Sequence, residues 1–311
     1  MNNSLIPIVS IIIPTYNHAE YIGKALKSVI NQTCENWEAI IIDNHSTDDT
    51  DNVVNQYDDP RIKYLKINNN GVIAKSRNLG IKKAKAEWIA FLDSDDWWTK
   101  DKLEVCLSKI DNNIDFIYHA HEYVKKSQFL FKKKIIKGRE LKKPILDDLL
   151  IGSITKGTQI SNSSVIVRKN ILLKIGGLNE NKILVGADDY DTWLRIAQVT
   201  DQFLYINKKL GYYLFHNDNT QKKKDMSIPQ KLAVKNFLHL FNNQQKLNLE
   251  VKLRYISGIY NFLNHNYKKA KNNFIFVIRN GMINLRIRSL IMIILIITKI
   301  KLLNLKKKYL L

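Results

Sequence analysis

Val9-Ser-Ile-Ile-Ile-Pro-Thr-Tyr-Asn17 sets a run of mostly β-branched residues, Val9 to Ile13, against a stop at Pro14 and a polar cluster at Thr15, Tyr16 and Asn17. A second run, Ala39 to Ile42, ends the same way at Asp43, Asn44 and His45. Short continuous apolar runs of this kind read as strands covered on both faces, the form that parallel strands take. Between them, Ala19 to Gln32 spaces Tyr21, Ile22, Ala25, Leu26, Val29 and Ile30 at helical intervals, which predicts a βαβ unit. Working outward, Asp48 to Tyr57 suits a helix, Ile62 to Ile67 a strand, Ser76 to Lys85 a helix, and Trp88 to Leu92 a strand ending directly in Asp93. This alternation predicts an α/β fold: a doubly wound, mostly parallel sheet flanked by helices, with ligands at the carboxyl ends of its strands.

The polar clusters fall at those ends. Thr15, Tyr16 and Asn17 follow the first strand, Asp43, Asn44 and His45 the second, and Asp93, Ser94, Asp95 and Asp96 the fourth. Helix capping accounts for Ser46, Thr47 and Asp48. It does not account for three carboxylates within four residues, because like charges that close repel unless a cation offsets them.

Further along, Gly152 to Ser164 is rich in Gly, Ser and Thr and reads as a loop near the site, with Ser164 to Arg168 as a strand. Asp188 to Val199 reads as a helix whose acidic start suits the helix dipole. The net charge of +20 is uneven: residues 1–110 carry −2, residues 111–200 carry +5, and residues 201–311 carry +17. A basic excess in the last third suits a polyanion or an anionic membrane face. From about Ser227 the composition is helical, and Asn261 to Ile278 resembles half of a helical hairpin. Ser289 to Thr298 is an apolar stretch of ten residues between Arg286 and Arg288 on one side and Lys299 and Lys301 on the other, followed by Lys306 to Lys308. It is too short to span a bilayer, which takes ~20 residues. Two readings stand: a helix lying in the plane of a membrane surface, or a helix buried against the rest of the protein. Two cysteines, Cys34 and Cys106, cannot form a disulfide framework, and no leader-like segment opens the sequence, so the expected compartment is the cytoplasm.

Six segments then fall in a familiar order: Val9 to Asn17, Ser28-Val-Ile-Asn-Gln-Thr33, Ile42-Asp-Asn-His-Ser-Thr-Asp48, Asn70-Gly71, Arg77-Asn-Leu-Gly80 and Phe91-Leu-Asp-Ser-Asp-Asp96. Together with Gly186-Ala-Asp-Asp-Tyr-Asp-Thr-Trp-Leu-Arg195 and a weaker echo at His216, the sequence resembles the inverting, nucleotide-sugar-dependent family 2 glycosyltransferases of the GT-A fold. The resemblance implies a catalytic domain over 1–225, with a nucleotide-binding half at 1–110 and an acceptor and catalytic half at 111–225. A basic helical region over 226–311 follows, with a candidate membrane-associating helix near 285–305.

The same resemblance implies roles. Pro14, Thr15, Tyr16 and Asn17 lie against the nucleotide, Asp43 accepts a hydrogen bond from the base, and Arg77 contacts the nucleotide. Asn44 and His45 stand where Asp-Gly is usual. Asp93-Ser94-Asp95 resembles the family's DxD motif, with Asp95 as ligand of Mn²⁺ or Mg²⁺, Asp93 toward the ribose and Asp96 in support. His216 is a candidate ligand of the metal or the diphosphate. Asp189 is the implied base that deprotonates the acceptor hydroxyl, with Asp188 its partner, while Trp193 and Arg195 brace the helix. The expected activity is transfer of one sugar from a nucleotide diphosphate sugar, UDP-linked by preference, to a glycan or lipid-linked acceptor in cell-surface polysaccharide biosynthesis. The expected location is the cytoplasm, peripheral on the inner membrane face. A processive synthase is disfavoured, since there are no long apolar helices and no Gln-x-x-Arg-Trp. A nucleotidyltransferase would also hold two aspartates near a metal. A nucleic-acid-binding role for the basic region lacks any recognition motif, so no nucleic acid partner is expected.

Overall fold

The structure, a computed structural model, describes residues 6–125, 134–136, 138–155, 160–216 and 224–309. The chain divides into two compact units, Met1–Asn217 and Asp218–Leu311.

In the first unit, β1 (Val9–Thr15), β2 (Trp37–Asp43), β3 (Ile62–Lys66) and β4 (Trp88–Phe91) are parallel and ordered β3-β2-β1-β4. All residues of β1, β2 and β4 are buried, which is why they are mostly apolar, the buried Ser10 and Glu38 bonding to each other. Three helices follow the first three strands: α1 (Ala19–Ile30), α2 (Thr50–Asn55) and α3 (Ile73–Lys83). Val9, Ile11 and Ile13 share a core with Ile22, Ala25, Leu26 and Val29 of α1. Ile12 points to the opposite face and meets α3, where a Cβ on Gly80 would fall 2.5 Å from Ile12 Cγ2. Gly80 is therefore the residue that lets α3 close onto the sheet. Because the winding reverses about β1, the carboxyl ends of β1 and β4 border the crevice where doubly wound folds bind ligands.

Beyond β4 the sheet is mixed. The remaining strands are β5 (Trp97–Trp98), β6 (Phe116–Lys125), β7 (Lys134–Ile136), β8 (Ile166–Arg168) and β9 (Phe203–Phe215). β8 runs antiparallel between β4 and β6, β9 is parallel to β6 with an irregularity around Ala120, and β5 and β7 pair antiparallel with β9 and β6. Helices α4 (Lys102–Leu107), α5 (Ile145–Thr155), α6 (Lys169–Lys174) and α7 (Asp188–Ala197) complete this unit.

Several boundaries differ from the sequence reading. α3 begins at Ile73 rather than Ser76, and β8 at Ile166, after a 3₁₀ turn at Asn162–Ser164. The Gly152 to Ser164 stretch is no continuous loop, since α5 runs through Gly152 to Thr155, while residues 156–159 lie outside the described residues. Burial of Ile145, Leu149 and Leu150 on one side of α5 outweighs the weak helix propensity of its Gly and Ser.

The second unit contains α8 (Ser227–Ala233), a 3₁₀ turn at Lys235–Leu240, α9 (Asn243–Leu263), α10 (Tyr267–Asn280) and α11 (Ile283–Tyr309). Asn242 and Gln245 form a reciprocal capping box at the start of α9. The stretch read as half a hairpin spans the end of α9, a turn and most of α10. Gly258 lets these two helices approach, because a Cβ there would lie 2.7 Å from Phe274 Cε1. The ten-residue apolar stretch lies within α11, and no helix among the described residues is long and apolar enough to cross a membrane.

Candidate active site

Thr15 ends β1 and Asp43 ends β2, side by side in register. The Thr15 hydroxyl is buried without a partner among the described residues, an orphan donor at the edge of the crevice. Asn17 takes a left-handed φ of 50° and ties the two loops together, its Oδ1 accepting from Thr47 N at 2.8 Å while its own N–H donates to Ser46 Oγ at 2.8 Å. Tyr16 stands 51% exposed beside them. Asp43 is fully buried and filled: Ser46 donates through N at 3.1 Å and Oγ at 2.5 Å, and the Tyr64 hydroxyl donates at 2.9 Å. A hydrogen bond from a nucleotide base would replace one of these. His45 sits at φ 54°, in the left-handed region that favours glycine, so its side chain strains the backbone there.

At the end of β4 each carboxylate has a different partner. Arg77 of α3, 4% exposed, donates from Nη2 to Asp93 Oδ1 at 2.7 Å and from Nη1 to Asp188 Oδ2 at 2.6 Å. Both flanking carboxylates push its pKa further up against the opposing effect of burial. Arg77 is thus a brace between β4 and the start of α7, residues separated by nearly a hundred positions in sequence. Asp95 Oδ2 faces His216 Nε2 at 2.9 Å, at the end of β9. Asp96 turns inward, accepting from Ser163 Oγ at 2.6 Å and Leu214 N at 3.0 Å. Burial, then the charges of Asp95 and Asp93, raises its pKa well above the ordinary carboxylate range. Ser94 meets His18 Nδ1 at 2.7 Å.

Asp188 and Asp189 open α7 but differ in surroundings. Asp188 Oδ2 takes Arg77, and its Oδ1 takes Gly186 N at 3.1 Å. Asp189 accepts one hydrogen bond among the described residues, from Tyr190 N at 2.7 Å. Burial, and next the Asp188 charge, raises its pKa to about 7. Of two adjacent carboxylates, Asp188 is ion-paired by Arg77, whereas Asp189 takes only a backbone N–H among the described residues. Trp193 packs edge-on against Phe116 at 4.9 Å, and Arg195 pairs with Asp191 at 2.8 Å and bonds the carbonyls of Ile175 and Gly177, so both brace the helix.

Four residues escaped the sequence reading as individuals. His18 edges onto Tyr21 at 5.4 Å, and Tyr21 lies 4.8 Å from His216, giving an imidazole–phenol group beside Asp95 and Ser94. Burial lowers the pKa of His18, opposed by Asp95. Asn162 donates to Asp93 Oδ1 at 3.1 Å, and Ser163 Oγ both accepts from Asp93 N and donates to Asp96. Their signal was the Ser/Asn-rich stretch before β8. Tyr213 of β9 feels Asp96, Asp95 and Asp93, which with burial raise its pKa.

The sequence matches the family model described as "Glycosyl transferase family 2" over residues 10–169. It is 31% identical over 217 residues to the UDP-Glc:alpha-D-GlcNAc-diphosphoundecaprenol beta-1,3-glucosyltransferase WfaP of Escherichia coli, covering 70% of this chain and 81% of that protein. Among solved structures it resembles S. aureus TarS 1-349 in complex with UDP-GlcNAc, with a TM-score of 0.60 and 20% identity over 89% of this chain and 82% of that one. The mannosyltransferase PcManGT from Pyrobaculum calidifontis in complex with GDP-Man and Mn2+ aligns with a TM-score of 0.57 and 16% identity, covering 91% and 78%. This chain belongs to glycosyltransferase family 2, on the GT-A fold.

Proposed function

We propose that the protein transfers a single sugar, with inversion, from a UDP-sugar to a hydroxyl of a glycan or lipid-linked glycan acceptor in cell-surface polysaccharide biosynthesis. The observation that carries this reading is the division of labour at the start of α7, where Arg77 holds Asp188 and leaves Asp189 unpaired. That E. coli WfaP is named for a UDP-glucose donor and a diphosphoundecaprenol-linked acceptor supports the choice of donor and acceptor class.

In this reading the nucleotide lies along Pro14, Thr15, Tyr16 and Asn17 with its base toward Asp43, and Asp93 and Ser94 face the ribose. Arg77 contacts the nucleotide in this reading and also fixes Asp93 at 2.7 Å. A divalent cation would be held by Asp95, after β4, and His216, after β9, which lie 2.9 Å apart: a carboxylate and an imidazole that Mn²⁺ accepts, as Mg²⁺ accepts the carboxylate. Two protein ligands suffice for such ions, which take their remaining oxygens from diphosphate and water. A bound cation would offset the charge that grows on the diphosphate as it leaves.

The protein's own groups do the rest. Asp189 accepts the proton of the acceptor hydroxyl as that oxygen bonds to the anomeric carbon. The bond from that carbon to the diphosphate oxygen breaks on the opposite side, its electron pair leaving with the nucleoside diphosphate. A pKa near 7 suits a base working at neutral pH. A lipid-linked acceptor would place the enzyme on the inner face of the membrane.

A panel of nucleotide sugars, incubated with the protein and Mn²⁺ or with EDTA, tests the reading through nucleoside diphosphate release and donor binding. Metal-dependent binding and release from one UDP-sugar is expected. Metal-dependent binding to no donor at all would overturn it.

A further inference from the structure

α11 has two faces of opposite character. Met292, Ile293 and the fully buried Ile296 join a core with Ala270 and Phe274 of α10 and with Tyr255 and Phe262 of α9, and Ser289 lies on the same side. The opposite face carries Ile283, Ile287, Leu290, Ile291, Ile294 and Ile297, each at least 42% exposed. At 100° per residue these six form one stripe, and the exposed Arg286 lies along one border while Arg288 and Lys299 lie along the other. A helix satisfied by packing on one side has no reason within its own unit to present six branched apolar side chains to water on the other. A contiguous patch rimmed by charge marks a docking surface.

We propose that this stripe seats the protein on an anionic lipid surface, with α11 lying in the membrane plane, its isoleucines in the acyl boundary and its arginines among the headgroups. Charge decides between occupants. α11 contains no Asp or Glu, and residues 218–311 hold 19 Lys/Arg against three Asp/Glu. A second copy on the stripe would bring two such surfaces together, whereas anionic headgroups complement the cationic borders on both sides. The stripe from residue 283 to 297 is about 21 Å long, at ~1.5 Å per residue, so it lies along a bilayer instead of crossing it. The transferase reading enters only as the benefit, since an enzyme so seated meets lipid-linked acceptors in two dimensions; the docking stands without it.

The test is flotation of the full-length protein with phosphatidylcholine vesicles and with mixed phosphatidylcholine–phosphatidylglycerol vesicles. The parent is expected to float only with the phosphatidylglycerol vesicles. Ile287→Ser/Ile291→Ser/Ile294→Ser should lower that binding at least about tenfold, with melting temperature and donor binding unchanged. Arg286→Gln/Arg288→Gln should lower it about fivefold per arginine removed, with a weaker dependence on salt. Absence of parent binding to phosphatidylglycerol vesicles would overturn the proposal, as would parent-like binding by the triple serine variant. A parent dimer that the serine variant converts to monomer would overturn it in favour of a second copy. Because flotation needs neither donor nor acceptor, its failure leaves the transferase reading intact, and loss of donor binding leaves this one intact.

Discussion

In residues 6–216 a buried arginine, Arg77, is held between Asp93 and the buried Asp188, whereas most of the charges of residues 224–299 lie outward along helix surfaces. An inward charge is a commitment of geometry. Its desolvation is offset by a few partners at fixed distances, and removing it strands those partners in a low-dielectric site. An outward charge contributes to a field, each residue adding a little that salt can screen. The first unit is accordingly specific and brittle, and the helical unit tolerant and cumulative.

The largest expected effect is at Arg77. Arg77→Met should destabilise the first unit by about 3–5 kcal/mol in urea unfolding, because Asp188 is left buried and uncompensated. A loss below ~1 kcal/mol would erase the contrast between the units.

Next comes the pH dependence of turnover. With the Asp189 pKa raised to about 7, the base is protonated below that value and free above it, so kcat/KM should climb as pH rises through about 7. Asp189→Asn should remove the climb, and Asp188→Asn should shift it downward, since the Asp188 charge is one cause of the elevation. A profile unchanged in both variants would break the distinction between the paired and the unpaired carboxylate.

The smallest effects should be at strain and at the surface. His45→Gly relieves a left-handed residue and should stabilise by up to ~1 kcal/mol in thermal unfolding. Arg288→Gln, on an exposed border of α11, should change stability by less than ~0.5 kcal/mol.

How much of this could be read from the sequence follows the same division. β1, β2 and β4 were plain because strands covered on both faces must be written as apolar runs, and their polar ends stood out against those runs. His18, one residue past the Thr15-Tyr16-Asn17 cluster, and Ser163, inside a stretch read as loop, were hidden: a single polar side chain becomes part of the site only when distant strands meet. The bridge from Arg77 to Asp93 and Asp188 joins α3, β4 and α7, and no local pattern encodes it. α5 was missed because Gly152 and Ser153 argued for a loop while the packing of Ile145, Leu149 and Leu150 decided otherwise. The apolar stretch of α11 was visible as composition, but only the fold separates its packed side from its exposed one.

The most direct test of the central claim compares Asp189→Asn with Asp95→Asn in donor binding and in transfer to acceptor, with Mn²⁺ present. Asp189→Asn should bind the UDP-sugar as the parent does and lose transfer by about 10²–10⁴-fold, the usual contribution of a general base. Asp95→Asn should lose the metal-dependent part of binding itself. Transfer at the parental rate by Asp189→Asn would contradict the account and remove the unpaired carboxylate of α7 from the chemistry.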